Sequence, residues 1–318
     1  MKVLVTGGAG FMGSHLVDFL ASQGFFIRVI DNLSSGRTEF IKHHMGKEYF
    51  EFIYGDLKDF DTTLKAMEDI DVVFHFAANP DVRISVREPK THFDDNILAT
   101  FNVLEAARRS GSVKKIIFAS SSTVYGDAKV IPTPETHEML PISVYGATKA
   151  AGEMLLCSYA YLYGFKGISL RYANIIGSRL RHGVIYDFIR HLQRDPTKLP
   201  VLGDGTQRKS YLYINDAIEA AIFLMNRVQN FFEAYNVGNE DWVTVREIAE
   251  IVIEEMGISA KIVYRGGLSD GRGWPGDVKY MRLDISKLKL LGWRPRMSSK
   301  EAVRATTRAL IEELSAES

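Results

Sequence analysis

The sequence predicts an α/β protein, with a doubly wound parallel sheet joined to a smaller mixed α/β part that elaborates the substrate side. Three observations carry that expectation. Lys2–Thr6 reads as a short buried strand running straight into Gly7-Gly8-Ala9-Gly10-Phe11-Met12-Gly13 and then an apolar-periodic helix, His15–Gln23. Strand-like and helix-like stretches keep alternating as far as Arg171, the pattern of a parallel sheet with right-handed crossovers. Beyond Tyr172 the alternation loosens into charged and glycine-rich turns.

The first turn is the most informative. Gly8, Gly10 and Gly13 satisfy G-x-G-x-x-G, and Gly7, Gly10 and Gly13 equally give G-x-x-G-x-x-G. Between a strand and a helix, missing side chains let the backbone approach a pyrophosphate, which sits on the N–H groups of the helix start. A Rossmann-type dinucleotide site is the expectation. The second strand, Phe26–Ile30, ends in Asp31, 31 − 13 = 18 residues past the last glycine. An acid there accepts hydrogen bonds from the adenosine ribose and repels a 2′-phosphate, which favours NAD over NADP. Arg37 is the one nearby feature arguing the other way.

Ile53–Tyr54 leads into Gly55-Asp56-Leu57, a strand end suited to the adenine edge. Asp71–Phe76 is the next strand and ends in His75-Phe76-Ala77-Ala78, where small residues suit close passage over a cofactor; His75 itself reads as a packed strand-end histidine. Phe93–Ser110 reads as a helix with Asn96 early in it, and Lys115–Ala119 as a fifth strand. Hydroxyls then cluster in Ser120-Ser121-Ser122-Thr123-Val124-Tyr125-Gly126, in the usual ligand crevice past the carboxyl end of a central strand. A long helix, Val144–Tyr163, and a sixth strand, Gly167–Arg171, complete the first part. Ile214–Asn226, Thr244–Met256 and Glu301–Leu314 read as later helices, and Gly266–Gly276 as a glycine-rich loop.

The long helix opens with a candidate acid–base pair. Tyr145 and Lys149 lie 149 − 145 = 4 positions apart and so share one face. The ammonium then lies beside the phenol oxygen and favours its ionised form. A free tyrosine titrates near pH ~10, so a base working near neutrality needs about 4 kcal/mol of differential stabilisation. A positively charged nicotinamide close by is a second source of it.

Bulk properties exclude other classes. The 318 residues are 46% hydrophobic and 25% charged, and 39 Lys and Arg balance 39 Asp and Glu. No electrostatic footprint points to nucleic acid or an anionic membrane. No stretch reads as a signal peptide or a membrane span, so a cytoplasmic location is expected. Cys157 is the one cysteine, which rules out an internal disulfide and a cysteine-based zinc site; it reads as a packed helix residue. His43-His44 shows no metal-ligand setting, and a metal-independent protein is expected.

Taken together, Thr6–Gly13, Asp31-Asn32-Leu33-Ser34-Ser35-Gly36, Gly55-Asp56-Leu57, Phe76-Ala77-Ala78, Val124-Tyr125-Gly126, Tyr145-Gly146-Ala147-Thr148-Lys149 and Arg171-Tyr172-Ala173-Asn174 resemble the extended short-chain dehydrogenase/reductase family. The likeness spans essentially the whole chain and is strongest to the UDP-glucose 4-epimerases (UDP-galactose 4-epimerases). It implies an NAD-binding domain over 1–173 and 212–238 and a nucleotide-sugar-binding domain over 174–211 and 239–318. It implies that Tyr145 takes the proton of the sugar 4-hydroxyl, Lys149 holds the cofactor ribose and Ser121 steadies the 4-oxygen, through a transient 4-keto sugar with no net redox.

The resemblance assigns cofactor contacts to Gly7, Gly10, Phe11, Met12, Gly13, Asp31, Asn32, Ser35, Gly36, Asp56, Leu57, Phe76, Ala77, Ala78, Asn96, Ser120, Tyr145, Lys149 and Tyr172. Substrate contacts fall on Ser121, Ser122, Tyr145, Asn174, Tyr211 and Asp277, with Arg208 or Lys209 on the diphosphate. Arg272 is the expected partner of Asp277, five residues before it where the family has three. Ser122 and Thr123 stand where sugar 4,6-dehydratases place acids, which disfavours dehydration. Met281, four residues after Asp277, is adaptable enough to tolerate UDP-GlcNAc. Arg83 resembles a position that meets a carboxylate in some UDP-glucuronate 4-epimerases, which keeps uronate epimerisation or decarboxylation open. A non-enzymatic dinucleotide sensor is the remote alternative. The family also pairs Phe93–Ser110 and Val144–Tyr163 with a second copy, so a homodimer is expected; Tyr159, Tyr161 and Tyr163 suit that contact and equally suit a core.

Overall fold

The computed structural model describes residues 1–274 and 276–316. The chain divides into two units: Met1–Gly126, Met139–Arg171 and Ile218–Tyr235 form the first, and Asp127–Glu138, Tyr172–Ala217 and Asn236–Ser318 the second.

The strands β1 (Lys2–Thr6), β2 (Phe26–Asp31), β3 (Phe50–Tyr54), β4 (Val72–His75), β5 (Lys115–Ser121) and β6 (Lys166–Tyr172) join Phe232–Val237 in one seven-stranded sheet. Its order runs from Phe232–Val237 through β6, β5, β4, β1 and β2 to β3. β1 pairs parallel with β2 on one side and β4 on the other, placing Thr6 between Ile30 and His75. β3 extends the parallel pairing past β2, and β5 extends it past β4. The chain therefore reverses its winding direction around β1 and β4, where an open α/β sheet forms its ligand crevice.

Burial explains the strands. Leu4, Ile30, Val73, Ile116 and Phe118 pack with Val103, Leu104, Ala107, Leu156 and Ala160 from covering helices in one apolar cluster. Strands covered on both faces read as continuous apolar runs, which is why the sequence locates β1 to β6; the seventh strand, Phe232–Val237, is less buried at its start and is not among the strands read from the sequence. Helices α1 (Phe11–Ser22) and α2 (Phe60–Ala66) follow the first and third strands; Asp59 caps α2 through Asp61 and Thr62. The expected helix Phe93–Ser110 opens as a π-helical turn, Phe93–Leu98, before the α-helix Ala99–Ser110. The wider turn accommodates an inward Asn96 side chain, which accepts from Asn79 N and donates to Thr148 Oγ1.

In the second unit, Asn174–Ile176 pairs with Tyr211–Tyr213, and Lys198–Leu202 with Lys261–Arg265. Arg208–Lys209 lies between Val243–Thr244 and Tyr280–Met281. Thr244 and Glu247 form a capping box on the helix Val245–Glu255. The helix Val184–Arg194 lies in a stretch to which the sequence reading assigns no element; Ile185, Phe188, Ile189 and Leu192 form its buried stripe. The expected loop Gly266–Gly276 turns through positive φ at Gly266, Gly267, Gly271 and Gly276, with Pro275 outside the described residues. Among the described residues, no helix is long and apolar enough to cross a membrane.

Candidate active site

The carboxyl ends of β1 to β5 carry most of the residues singled out from the sequence. After β1 the chain makes the glycine turn into α1. Gly7 sits at φ +69°, and a Cβ there would stand 2.8 Å from Ala77 Cα. A Cβ on Gly13 would stand 2.0 Å from the Gly7 carbonyl oxygen. Gly8 instead lies against Val29, so of the two spacings the Gly7, Gly10, Gly13 set forms the turn. Gly10 opens α1 with no side chain capping it, which leaves the first N–H groups, on Phe11, Met12 and Gly13, for an anion. A cradle that side chains would fill, ahead of an uncapped helix, fits a dinucleotide pyrophosphate.

Asp31 ends β2 with Oδ2 accepting from Ala9 N at 2.9 Å and Oδ1 from Leu33 N at 2.8 Å. Burial raises its carboxyl above the usual range, partly offset by those two N–H groups. Gly36 passes close to it: a Cβ there would lie 2.9 Å from Oδ1, while Ser35 is exposed. Asn32 donates to Asp56 Oδ2 at 3.0 Å, which joins the tips of β2 and β3. Leu57 faces the core, and Asn102 Nδ2 holds its carbonyl at 2.8 Å. After β4, Phe76 stands edge-on to Phe74, Ala77 lies over Gly7 and donates its N–H to Thr6 Oγ1, and Ala78 is half-buried. The Tyr172 hydroxyl donates to the Ala217 carbonyl, and the residue is buried.

His75 is packed, as expected. Its Nδ1 lies 2.8 Å from Thr6 Oγ1 and its Nε2 2.9 Å from Thr100 Oγ1. Burial, helped by the Lys149 charge, lowers its pKa to about 3 and keeps the ring neutral.

Ser143 caps the helix Val144–Tyr163 through Gly146 N, which starts the helix one residue before Tyr145. Tyr145 packs edge-on against His92 at 5.8 Å between ring centroids. Lys149 Nζ lies 5.7 Å from the Tyr145 ring centroid and donates to the Ala119 carbonyl at 2.8 Å. Burial pushes the phenol up to about 12, and the Ser121 hydroxyl hydrogen-bonded to it pulls the other way. Burial pushes the Lys149 ammonium down to about 7, against the opposing pull of Glu153. The sequence led to the expectation that the ammonium lowers the phenol; in the protein alone, burial moves both groups toward neutrality and Ser121 is what favours the phenolate. Ser121 Oγ also accepts from Thr123 Oγ1 at 3.0 Å, and Ser122 follows it in the turn Ser122–Tyr125.

Two residues beneath this set were not singled out as site residues. Glu153, one turn past Lys149, is completely buried, accepts from the Ser120 hydroxyl and is clamped by Arg171. Arg171 also donates to the Tyr125 hydroxyl at 2.9 Å. The Ser120 hydroxyl is thereby directed to Glu153. The continuing four-residue spacing, 153 − 149 = 4, was the available signal for Glu153.

In the second unit, Lys209 Nζ lies 2.6 Å from Asp277 Oδ1, while the exposed Arg208 guanidinium lies 5.7 Å from the Trp242 ring centroid. Arg272 donates to the Asp277 carbonyl at 3.1 Å and pairs with Asp127 and Asp270 at 2.8 and 2.7 Å, so its altered spacing still brings it to Asp277. Asn174 donates to the Ser210 carbonyl, Tyr211 is buried with its N–H on Ser299 Oγ, and Met281 is buried.

Comparison with known proteins identifies the family. Residues 3–238 match the family described as NAD dependent epimerase/dehydratase. The UDP-glucose 4-epimerase of Mycolicibacterium smegmatis is 32% identical over 312 residues, covering 96% of this chain and 97% of the relative. A crystal structure of a UDP-galactose 4-epimerase is 52% identical with a TM-score of 0.88, covering 99% of this chain and 100% of that one. The UDP-glucuronic acid 4-epimerase from Bacillus cereus, solved with UDP-glucuronic acid and NAD, is 30% identical with a TM-score of 0.89, covering 98% and 100%. These relatives are 4-epimerases of different UDP-sugars. The chain belongs to the NAD dependent epimerase/dehydratase family, within the extended short-chain dehydrogenases/reductases.

Proposed function

We propose that the protein is an NAD-dependent epimerase that inverts carbon 4 of a UDP-sugar, with UDP-glucose and UDP-galactose as its substrate pair. The observation that carries this reading is the Ser121 hydroxyl on the Tyr145 phenol with Lys149 one turn away, beside the non-acidic Ser122 and Thr123. The start of α1 takes the cofactor pyrophosphate, Asp31 the adenosine ribose, Asp56 the adenine edge and Lys149 the second ribose. NAD, when bound, supplies a reversible hydride acceptor for carbon 4 and, in its oxidised form, a positive charge.

Tyr145 accepts the proton of the 4-hydroxyl and later returns it to the opposite configuration, while Ser121 hydrogen-bonds the 4-oxygen. A buried phenol held near 12 is a weak source of phenolate, so it relies on the Ser121 hydroxyl and on the positive charge that oxidised NAD would supply when bound. Arg208 or Lys209 anchors the diphosphate while the keto sugar turns over. Arg83 is exposed and lies 3.5 Å from Asp81 Oδ1, and turnover of UDP-glucuronate tests whether it meets a uronate.

Chromatography of the NAD-loaded protein with UDP-glucose, UDP-galactose and their N-acetyl and uronic relatives tests the reading. Interconversion of the first pair is expected. Turnover of an N-acetyl or uronic sugar alone moves the assignment to that substrate, and carbon dioxide release from UDP-glucuronate moves it to a decarboxylase. No turnover of any overturns epimerisation and leaves the dinucleotide sensor.

Phe93, Leu98 and Phe101 are exposed beside Met154, Tyr161, Leu162 and Tyr163 on the neighbouring helix, which supports pairing of these helices with a second copy. Light scattering at the mass of one chain would remove the dimer.

A further inference from the structure

Away from the glycine turn, the fold assembles a second chemical cluster. The sequence offers His43-His44 no third ligand, but the fold brings Asp18 from α1 to both. His43 Nε2 lies 2.8 Å and His44 Nε2 2.7 Å from the same Asp18 Oδ1. The two imidazoles are 4.0 Å apart between centroids and inclined at 44°, with both Nε2 atoms directed at that one oxygen. One nitrogen from each ring and one carboxylate oxygen all fall within 4.8 Å of one another. His44 is buried, and its Nδ1 lies 3.1 Å from the Tyr49 hydroxyl; His43 is exposed on the other side.

We propose that Asp18, His43 and His44 form a binding site for a divalent late transition-metal ion, with zinc as the fitting occupant. The donor set is two imidazole nitrogens and one carboxylate oxygen, which suits zinc, copper or nickel and lacks the oxygen ligands that calcium and magnesium require. Zinc binds such donors at about 2.0–2.2 Å, and ligands at that radius stand about 3–3.5 Å from one another. The convergence on Asp18 therefore needs only a small outward movement to admit an ion. Each coordinating ring keeps one proton, which moves from Nε2 to Nδ1; on His44 the Tyr49 oxygen is placed to accept it. That hydrogen bond orients the ring and fixes the tautomer in the manner of an outer-shell partner. Solvent at exposed His43 completes the coordination sphere with water.

The site also has a structural consequence. Asp18 and the two histidines are 25 and 26 residues apart, and the glycine-turn partner Asp31 lies in the chain between them. An ion there ties α1 to the segment that follows the Asp31–Gly36 loop. Occupancy stabilises the folded protein by mass action without touching the catalytic side chains.

The test is calorimetric titration of the chelator-treated full-length protein with zinc chloride, with magnesium and calcium chloride as controls, alongside thermal unfolding with and without zinc. One zinc per chain, a rise in Tm with zinc and no binding of magnesium or calcium are expected. His43→Ala, at an exposed position that leaves the core intact, is expected to abolish the one-to-one binding and the Tm rise. Tyr49→Phe is expected to weaken zinc by about tenfold. The proposal is overturned by the absence of stoichiometric binding, or by zinc binding that survives His43→Ala with unchanged affinity.

Discussion

Arg171 grips both carboxylate oxygens of Glu153, with Nε 3.1 Å from each and Nη2 2.8 Å from Oε2, one helical turn past Lys149. Both side chains are buried, so neither charge has water to fall back on. Breaking such a pair from one side leaves an uncompensated buried charge at a cost of about 3–5 kcal/mol. Glu153→Gln is therefore expected to lower unfolding stability by about that amount in urea titrations. Glu153→Leu combined with Arg171→Met should lie closer to the parent than either single change. A loss below about 1 kcal/mol for Glu153→Gln would mean the clamp is not a buried charge pair.

Tyr145→Phe removes the phenol oxygen and retains the ring that packs on His92. Loss of a positioned acid–base group is expected to lower kcat by about 10²–10⁴-fold, with NAD retained after gel filtration and an unchanged fold. Retained turnover would move the proton transfer to another residue.

The fold was largely legible because its determinants are local. Glycines in a turn, apolar strands covered on both faces and a capped helix all write themselves into short windows, as Gly7–Gly13, Val3–Val5 and Ser143–Tyr145 do. What escaped depends on partners distant in the chain. Nothing near Glu153 announces Arg171, and nothing near His43 announces Asp18. The pairing of Lys198–Leu202 with Lys261–Arg265 was invisible for the same reason. The directions of the Tyr145 and Lys149 shifts were out of reach too, since spacing shows which charges are neighbours but not how far water is excluded. Val184–Arg194 is different, because its apolar stripe of Ile185, Phe188, Ile189 and Leu192 is itself local and visible in the sequence.

Lys149 makes stability depend on pH in a definite sense. Its ammonium titrates near 10.5 in the unfolded chain and near 7 in the folded one. Between those values the unfolded state holds the extra proton, so stability rises with pH, by up to about 1.4 kcal/mol per pH unit for one group. Below about pH 7 both states are protonated and the penalty is at its full size. Tyr145, raised to about 12 from 10.0, acts oppositely above pH 10, where the folded state holds the extra proton. Urea titrations at pH 7 and pH 9 isolate the first effect. Lys149→Met should flatten the rise seen in the parent protein, and an equal rise in both would assign it elsewhere.

Gly13→Ala tests the cradle. Its Cβ would stand 2.0 Å from the Gly7 carbonyl oxygen and 2.7 Å from Gly8 Cα, both backbone atoms that cannot rotate away. The glycine turn must open, which moves the N–H groups off the pyrophosphate position. The dissociation constant for NAD, read by calorimetric titration, is expected to rise at least about tenfold, a change of only ~1.4 kcal/mol. An unchanged constant in the variant would put the cofactor elsewhere.

Arg208 and Lys209 differ in what already holds them. Lys209 is bound to Asp277 at 2.6 Å, so its charge is matched by a buried carboxylate. Arg208 stacks over Trp242 and, among the described residues, pairs with no carboxylate, which leaves its planar fork for a diphosphate. Arg208→Ala is expected to raise KM for the UDP-sugar about tenfold or more with kcat little changed, because the diphosphate is bound equally in the ground and transition states. Lys209→Ala should instead appear chiefly as lost stability, through an unpaired Asp277. Steady-state kinetics and thermal unfolding on the two variants separate these outcomes, and a KM effect confined to Lys209→Ala would reverse the assignment.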